Sequence, residues 1–213
     1  MRLGAILAGV LLISATGYAA PVRSIDPKAE QVISRSRTTA ATYTIYWRVR
    51  YSEGSGTPDH AWGATFRDGP LLRVEDVRSR AVADCAAVKG TQFDLSVGRD
   101  DYQIGRKVAQ RYCGIDADRK VRSARWLGQK PGTFGLVDEV EIVDEDGTFT
   151  YQVAAKGELV GVASTWRGTN STSVAEPMLI EYGVPTGDLF SRLSLASSKV
   201  PKAIQSRGSR PGH

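Results

Sequence analysis

TYTIYWRVRYSE, residues 42–53, alternates with a period of two. Tyr43, Ile45, Trp47, Val49 and Tyr51 fall on one side, and Thr44, Tyr46, Arg48, Arg50 and Ser52 on the other. Successive strand side chains point to opposite faces, so this segment reads as a long strand with one apolar, aromatic face and one basic face. The chain before it reads differently. Asp26-Pro27 supplies an N-cap followed by proline at the first helical position, and Lys28 to Arg37 then places Ala29, Val32 and Ile33 on one helical face.

Working outward, EGSGTPDH (53–60) breaks the strand, and AWGATFRDGPLLRVEDV (61–77) reads as two strands joined at Asp68-Gly69, a favoured hairpin turn. TQFDLSVG (91–98) and DYQIGRKVAQRYCG (101–114) supply further strand candidates. FGLVDEVEIVD, TFTYQVAA and ELVGVASTW form three more, punctuated by Asp146-Gly147 and Lys156-Gly157. The sum is roughly nine to eleven strands at hairpin spacing, which predicts a mainly β fold built on a single strongly curved antiparallel sheet with a short N-terminal helix. No repeat of fixed period is present, which argues against a propeller or β-helix. One short helix leaves too little cover for such a sheet, so its concave face is expected to hold something hydrophobic. The expected lining residues are Tyr43, Ile45, Trp47, Val49, Tyr51, Trp62 and Phe66.

The first residues, MRLGAILAGVLLISATGYAAPV, combine Arg2, an apolar run from Leu3 to about Ala15 and a small-x-small site at Gly17-Tyr18-Ala19. This is a secretory signal pattern with cleavage expected after Ala19. The apolar run is shorter than the roughly 20 residues of a membrane span. The expected organisation is a signal peptide at 1–19, one β-rich domain at 20–195 and a flexible basic tail at 196–213, with a periplasmic or secreted location following from the signal: periplasmic in a Gram-negative host. The two cysteines, Cys85 and Cys113, are then expected to form a structural disulfide on neighbouring strands. Closing that loop is worth roughly 3–4 kcal/mol in the chain-entropy model.

Composition and motifs narrow the chemistry. Hydrophobic residues make up 41% and charged residues 24% of the chain, as in a soluble globular domain. The formal charge of +5 owes much to Arg192, Lys199, Lys202, Arg207 and Arg210, with no acid after Asp188. Such a tail allows weak contact with anionic membranes. The only histidines are His60, in a Gly/Ser/Pro connection read as an exposed loop, and His213. Zinc needs three or four Cys, His or carboxylate ligands, so no metal site is expected. Neither a G-x-S-x-G elbow nor a phosphate loop occurs. The acids Asp100-Asp101, Asp138-Glu139 and Asp144-Glu145-Asp146 are adjacent along the chain, where strand geometry sends neighbours to opposite faces. The Asp144–Gly147 stretch reads as a hairpin turn. No catalytic residue and no cofactor is expected, and nucleic acid is not an expected partner.

DPKAEQVISRSRT for the helix, TYTIYWRVRYSE for the long strand and GLVDEVEIVDEDGTFTYQVAAKGELVGV for the late meander together resemble, in layout from about Asp26 to Leu195, the periplasmic lipoprotein-localisation carriers of LolA and LolB type. The resemblance implies an unclosed β-barrel whose concave apolar face holds acyl chains, and a strand arginine, Arg48 or Arg50 here, that latches the lid. The pair Cys85 and Cys113 is not part of the carrier pattern. The expected function is therefore a binding module for a lipid or acylated protein, acting as a monomer. The competing reading is a non-enzymatic envelope interaction or regulatory protein with a closed β core.

Overall fold

Asp26 caps the first helix as its sequence predicts: its side chain accepts a hydrogen bond from the Lys28 backbone N–H at 2.7 Å. The computed structural model describes residues 24–97, 99–101, 105–115 and 120–210. The expected signal peptide at 1–19, and His213, lie outside the described residues. The chain forms β1 (Ser24–Ile25), α1 (Pro27–Thr38), β2 (Tyr43–Glu53), β3 (Asp59–Asp68), β4 (Leu71–Asp76), β5 (Ser79–Asp84), β6 (Lys89–Asp94) and β7 (Arg99–Asp101). Then follow α2 (Gly105–Tyr112), β8 (Ser123–Gly132), β9 (Gly135–Val143), β10 (Gly147–Ala154), β11 (Leu159–Trp166), β12 (Ser171–Tyr182), a 3₁₀ turn (Arg192–Ala196) and α3 (Lys202–Gly208).

Among the described residues all the strands belong to one twelve-stranded sheet in the order β1-β8-β9-β10-β11-β12-β2-β3-β4-β5-β6-β7. Its two edges, β1 and β7, do not meet, so the curved sheet is an unclosed barrel. The β1–β8 pair is parallel and every other pair is antiparallel. Two meanders are thus joined at the centre, where β12 pairs with β2 from Tyr43 to Glu53. The turns are held locally. Asp76 Oδ1 accepts from the backbone N–H groups of Arg78 and Ser79, both at 2.7 Å, and Asp144 Oδ1 from those of Asp146 and Gly147 at 2.8 and 3.0 Å.

Cross-strand partners share a face, and the register assigns two. The inner face carries α1 and α2. Ala29, Val32 and Ile33 of α1 pack on Ala124, Val140, Ile142, Phe149, Tyr151 and Val153; burying each of the two larger helix side chains is worth about 1.5–3 kcal/mol. The 101–114 segment, expected as a strand, becomes α2 from Gly105. Val108, Ala109 and Tyr112 recur at helical spacing, and Ala109 joins Leu72 and Ala83 in a core cluster. Gly90 permits this approach, because a Cβ there would lie 2.7 Å from Val108 Cγ1.

The outer face gathers Tyr46, Trp62, Ala64 and Phe66 under Leu189, Val200 and the partly buried Ile204. Residues 196–210, expected as flexible, are instead fastened there. Arg73 and Glu75, each 0% exposed, form an ion pair with Nε–Oε1 at 2.6 Å. The Arg73 guanidinium donates to Ser194 Oγ (2.6 Å) and to the carbonyls of Leu189 (3.0 Å) and Ser197 (2.9 Å). Glu75 accepts from Ser198 Oγ (2.7 Å) and the Lys199 N–H (2.9 Å). Tail composition shows excess charge. It does not show that a buried ion pair on β4 needs this segment's polar groups, or that Val200 and Ile204 meet an aromatic face.

Candidate binding groove

The inner face is not fully covered. Between α2 and strands β10–β11 lies a groove of about 650 Å³, within the range of small-molecule sites. Its floor is apolar: Phe149 and Tyr151 from β10, and Leu159, Val162 and Trp166 from β11, with Ser164 and Ser173 beside them. These side chains converge because alternate residues of TFTYQVAA face inward and pair with alternate residues of β11, Phe149 with Ser164 and Tyr151 with Val162. Phe149 and Trp166 meet edge to face with centroids 5.1 Å apart. Trp166 remains 39% exposed, at the opening. Ser164 and Ser173 hydroxyls share a hydrogen bond of 2.7 Å, so this polar pair does not need water.

The roof is α2, which contributes Lys107, Gln110, Arg111 and Tyr112, followed by Gly114. It is pinned at its C-terminal end in two ways. Cys113, next after α2, is bridged to Cys85, next after β5, with Cα atoms 5.6 Å apart. The expected pairing is therefore present, but a helix end takes the place of one of the two expected strands. On the other side, Gly114 (φ +104°) lies so close to α1 that a Cβ would stand 2.6 Å from the Ser36 carbonyl oxygen. There the Ile115 N–H donates to Ser36 Oγ at 3.1 Å, and Arg37 Nε donates to the Ile115 carbonyl at 2.6 Å. The Tyr112 hydroxyl donates to Gln92 at 3.2 Å. Burial raises the Tyr112 phenol above its ordinary pKa, so the roof contact is neutral at physiological pH.

The expected lining residues are divided by the fold. Tyr43, Ile45 and Trp47 are packed, at 3, 0 and 9% exposure, in a core cluster with Val137 and Val160, and Val49 is partly buried against it. Trp47 Nε1 donates to Thr65 Oγ1 at 3.1 Å. Tyr51, half exposed, sits cross-strand from the groove residue Ser173. Only this end of the β2 face adjoins the groove. Trp62 and Phe66 lie on the outer face, beneath the C-terminal segment. Arg48 and Arg50 also point to that face, the latter pairing with Glu176 at 3.2 Å, so neither reaches the groove as a latch. His60 is on β3 and not in a loop, and its Nδ1 is buried without a hydrogen-bond partner among the described residues.

Sequence reasoning missed Phe149, Tyr151, Val162 and Trp166 as a set, although their period-two spacing was visible. It also missed Lys107 and Arg111, whose segment was read with the wrong period. Among the described residues no group of three or more His, Cys, Asp or Glu is arranged to hold a metal ion.

No known family profile and no curated protein matches the sequence. Among solved structures, the chain is similar to a LolA superfamily protein from Nitrosomonas europaea, at 8% identity, with 78% of this chain and 99% of that one covered and a TM-score of 0.40. It is similar to MucB at 8% identity, covering 78% of this chain and 63% of that one, with a TM-score of 0.48. A third is the lipoprotein LppX of Mycobacterium tuberculosis, at 9% identity, 76% and 98% coverage and a TM-score of 0.40. These likenesses concern the fold alone.

Proposed function

We propose that this protein is a non-enzymatic binding module that holds an apolar ligand of acyl-chain type, free or attached to a protein, in the groove between α2 and β10–β11. The observation that carries the reading is an open cavity of about 650 Å³ floored by Phe149, Tyr151, Leu159, Val162 and Trp166. Core aromatics are ordinarily packed to crystal-like density. Phe149 and Tyr151 are buried on the α1 side of the floor, and Trp166 stays 39% exposed at the opening. A disulfide between Cys85 and Cys113 suits an oxidising compartment. With the secretory pattern at the start of the sequence, it supports a location outside the cytoplasm, the periplasm in a Gram-negative host.

The test is titration with a neutral apolar fluorophore, N-phenyl-1-naphthylamine, against the wild type and Val162→Trp. The substitution adds an indole to the groove floor and should abolish the fluorescence gain while far-ultraviolet circular dichroism is unchanged. Equal fluorescence gain in both proteins would place the ligand elsewhere. No gain in the wild type would leave the interaction-protein reading as the better one.

A further inference from the structure

Resting on the groove as the ligand site, we infer that its ligand is a single-chain amphiphile with an anionic head group, held by Lys107 and Arg111. Volume limits the chain number. At roughly 30 Å³ per water-sized group, about 650 Å³ admits about twenty such groups. That is one chain of ordinary length with part of its head group, and too little for a second chain.

Charge selects the head group. The α2 segment GRKVAQRY contains Arg106, Lys107 and Arg111 and no acid, and two of its cations line the groove. Among the described residues neither Lys107 nor Arg111 forms an ion pair. The Arg111 guanidinium lies over the Tyr112 ring, 5.4 Å from its centroid, which keeps this cation at the roof. Asp146, at the β9–β10 turn, is the one acid among the described lining residues. The lining is thus apolar on the sheet side and net positive on the helix side. An anion bound there gains charge-assisted hydrogen bonds with no carboxylate to displace. Its attraction is strengthened by the low-dielectric floor.

The experiment displaces N-phenyl-1-naphthylamine with palmitoyl-lysophosphatidylglycerol and palmitoyl-lysophosphatidylcholine below their micellar concentrations, and with dipalmitoyl-phosphatidylglycerol delivered on a cyclodextrin carrier that is present in all three titrations. The anionic single-chain lipid should displace the probe at about tenfold lower concentration than the zwitterionic one, the effect of one or two charge-assisted hydrogen bonds. The two-chain lipid should be weaker than its single-chain counterpart. The double variant Lys107→Gln/Arg111→Gln should bring the two single-chain lipids to within about threefold, and added salt should narrow the wild-type preference in the same direction. A control pair on the outer face, Arg50→Gln/Arg125→Gln, should keep the preference. Equal displacement by both single-chain lipids in the wild type, a preference that survives the double variant, or stronger displacement by the two-chain lipid overturns the inference while leaving the groove occupied. Failure of the probe to bind at all overturns the groove reading itself.

Discussion

At the scale of single residues, two ionisable groups report on the packing of the β2 core and of α1 against β9. Burial against the β2 core pushes the Tyr43 phenol up to about 12, partly opposed by the Arg67 guanidinium. A raised pKa in the folded state means stability that is complete below the ordinary tyrosine value near 10 and is lost as pH rises from there toward 12. Denaturant melts at pH 9 and pH 12 should therefore show a fall in the wild type to which Tyr46 and Tyr112 also contribute, and Tyr43→Phe should make that fall smaller by on the order of 2–3 kcal/mol. Asp138 behaves in the opposite sense. Burial raises its pKa, but hydrogen bonds from Arg35 and Trp126 and the Arg35 charge outweigh burial and hold it below the usual carboxylate range. Its contribution is present above the ordinary carboxylate value and disappears as pH falls through the lowered one. Arg35→Met should cost about 1 kcal/mol at neutral pH and much less in acid. Trp166, 39% exposed at the opening, is expected to matter for binding more than for stability. Trp166→Ala should weaken N-phenyl-1-naphthylamine binding severalfold while costing less than the about 3–5 kcal/mol of a core aromatic truncation, measured by titration and urea melts on the same samples.

At the scale of elements, α2 and the C-terminal segment cover opposite faces and are held by opposite means. The roof helix is fastened by a covalent bridge and by the Ser36 and Arg37 contacts to Ile115. Cys85→Ser/Cys113→Ser releases one of these fastenings without touching the floor. Probe affinity is expected to fall, and stability to drop by roughly 3–4 kcal/mol in the chain-entropy model. Unchanged affinity would show that α2 is not needed as a roof. The C-terminal segment is held by the Arg73–Glu75 pair, and leaving one buried charge without its partner costs about 3–5 kcal/mol. Glu75→Ala should lose that much in equilibrium unfolding, whereas Glu176→Ala, which breaks an exposed pair, should lose less than about 1 kcal/mol. These elements also separate what was readable from what was not. α1 was legible because Asp26, Pro27 and the 3.6-residue spacing are all local signals. α2 was not, because a short segment with few apolar residues fits period two as easily as period three to four, and its tertiary contacts with β5 and β6 decide the matter.

At the scale of the whole molecule, the unclosed sheet explains why a groove survives at all. This sheet leaves β1 and β7 apart and relies on two helices, rather than on closure, to cover its inner face. α1 covers β8–β10 and α2 covers β4–β6, and the space between α2 and β10–β11 is the groove. The sequence by itself determined the strand alternation, the hairpin turns at Asp68-Gly69, Asp146-Gly147 and Lys156-Gly157, the first helix and the cysteine pairing, because each depends on neighbours along the chain or on a pairing with no competitor. It also determined that Tyr43, Ile45, Trp47, Val49 and Tyr51 share one face. Only the tertiary structure decided what covers each face. Val137 and Val160 close over the start of β2, the C-terminal segment closes over Trp62 and Phe66, and α1 closes over only part of β10 and β11, leaving the groove beside Trp166. Periodicity states which side chains stand together, but whether they become core or cavity depends on which distant segment packs against them.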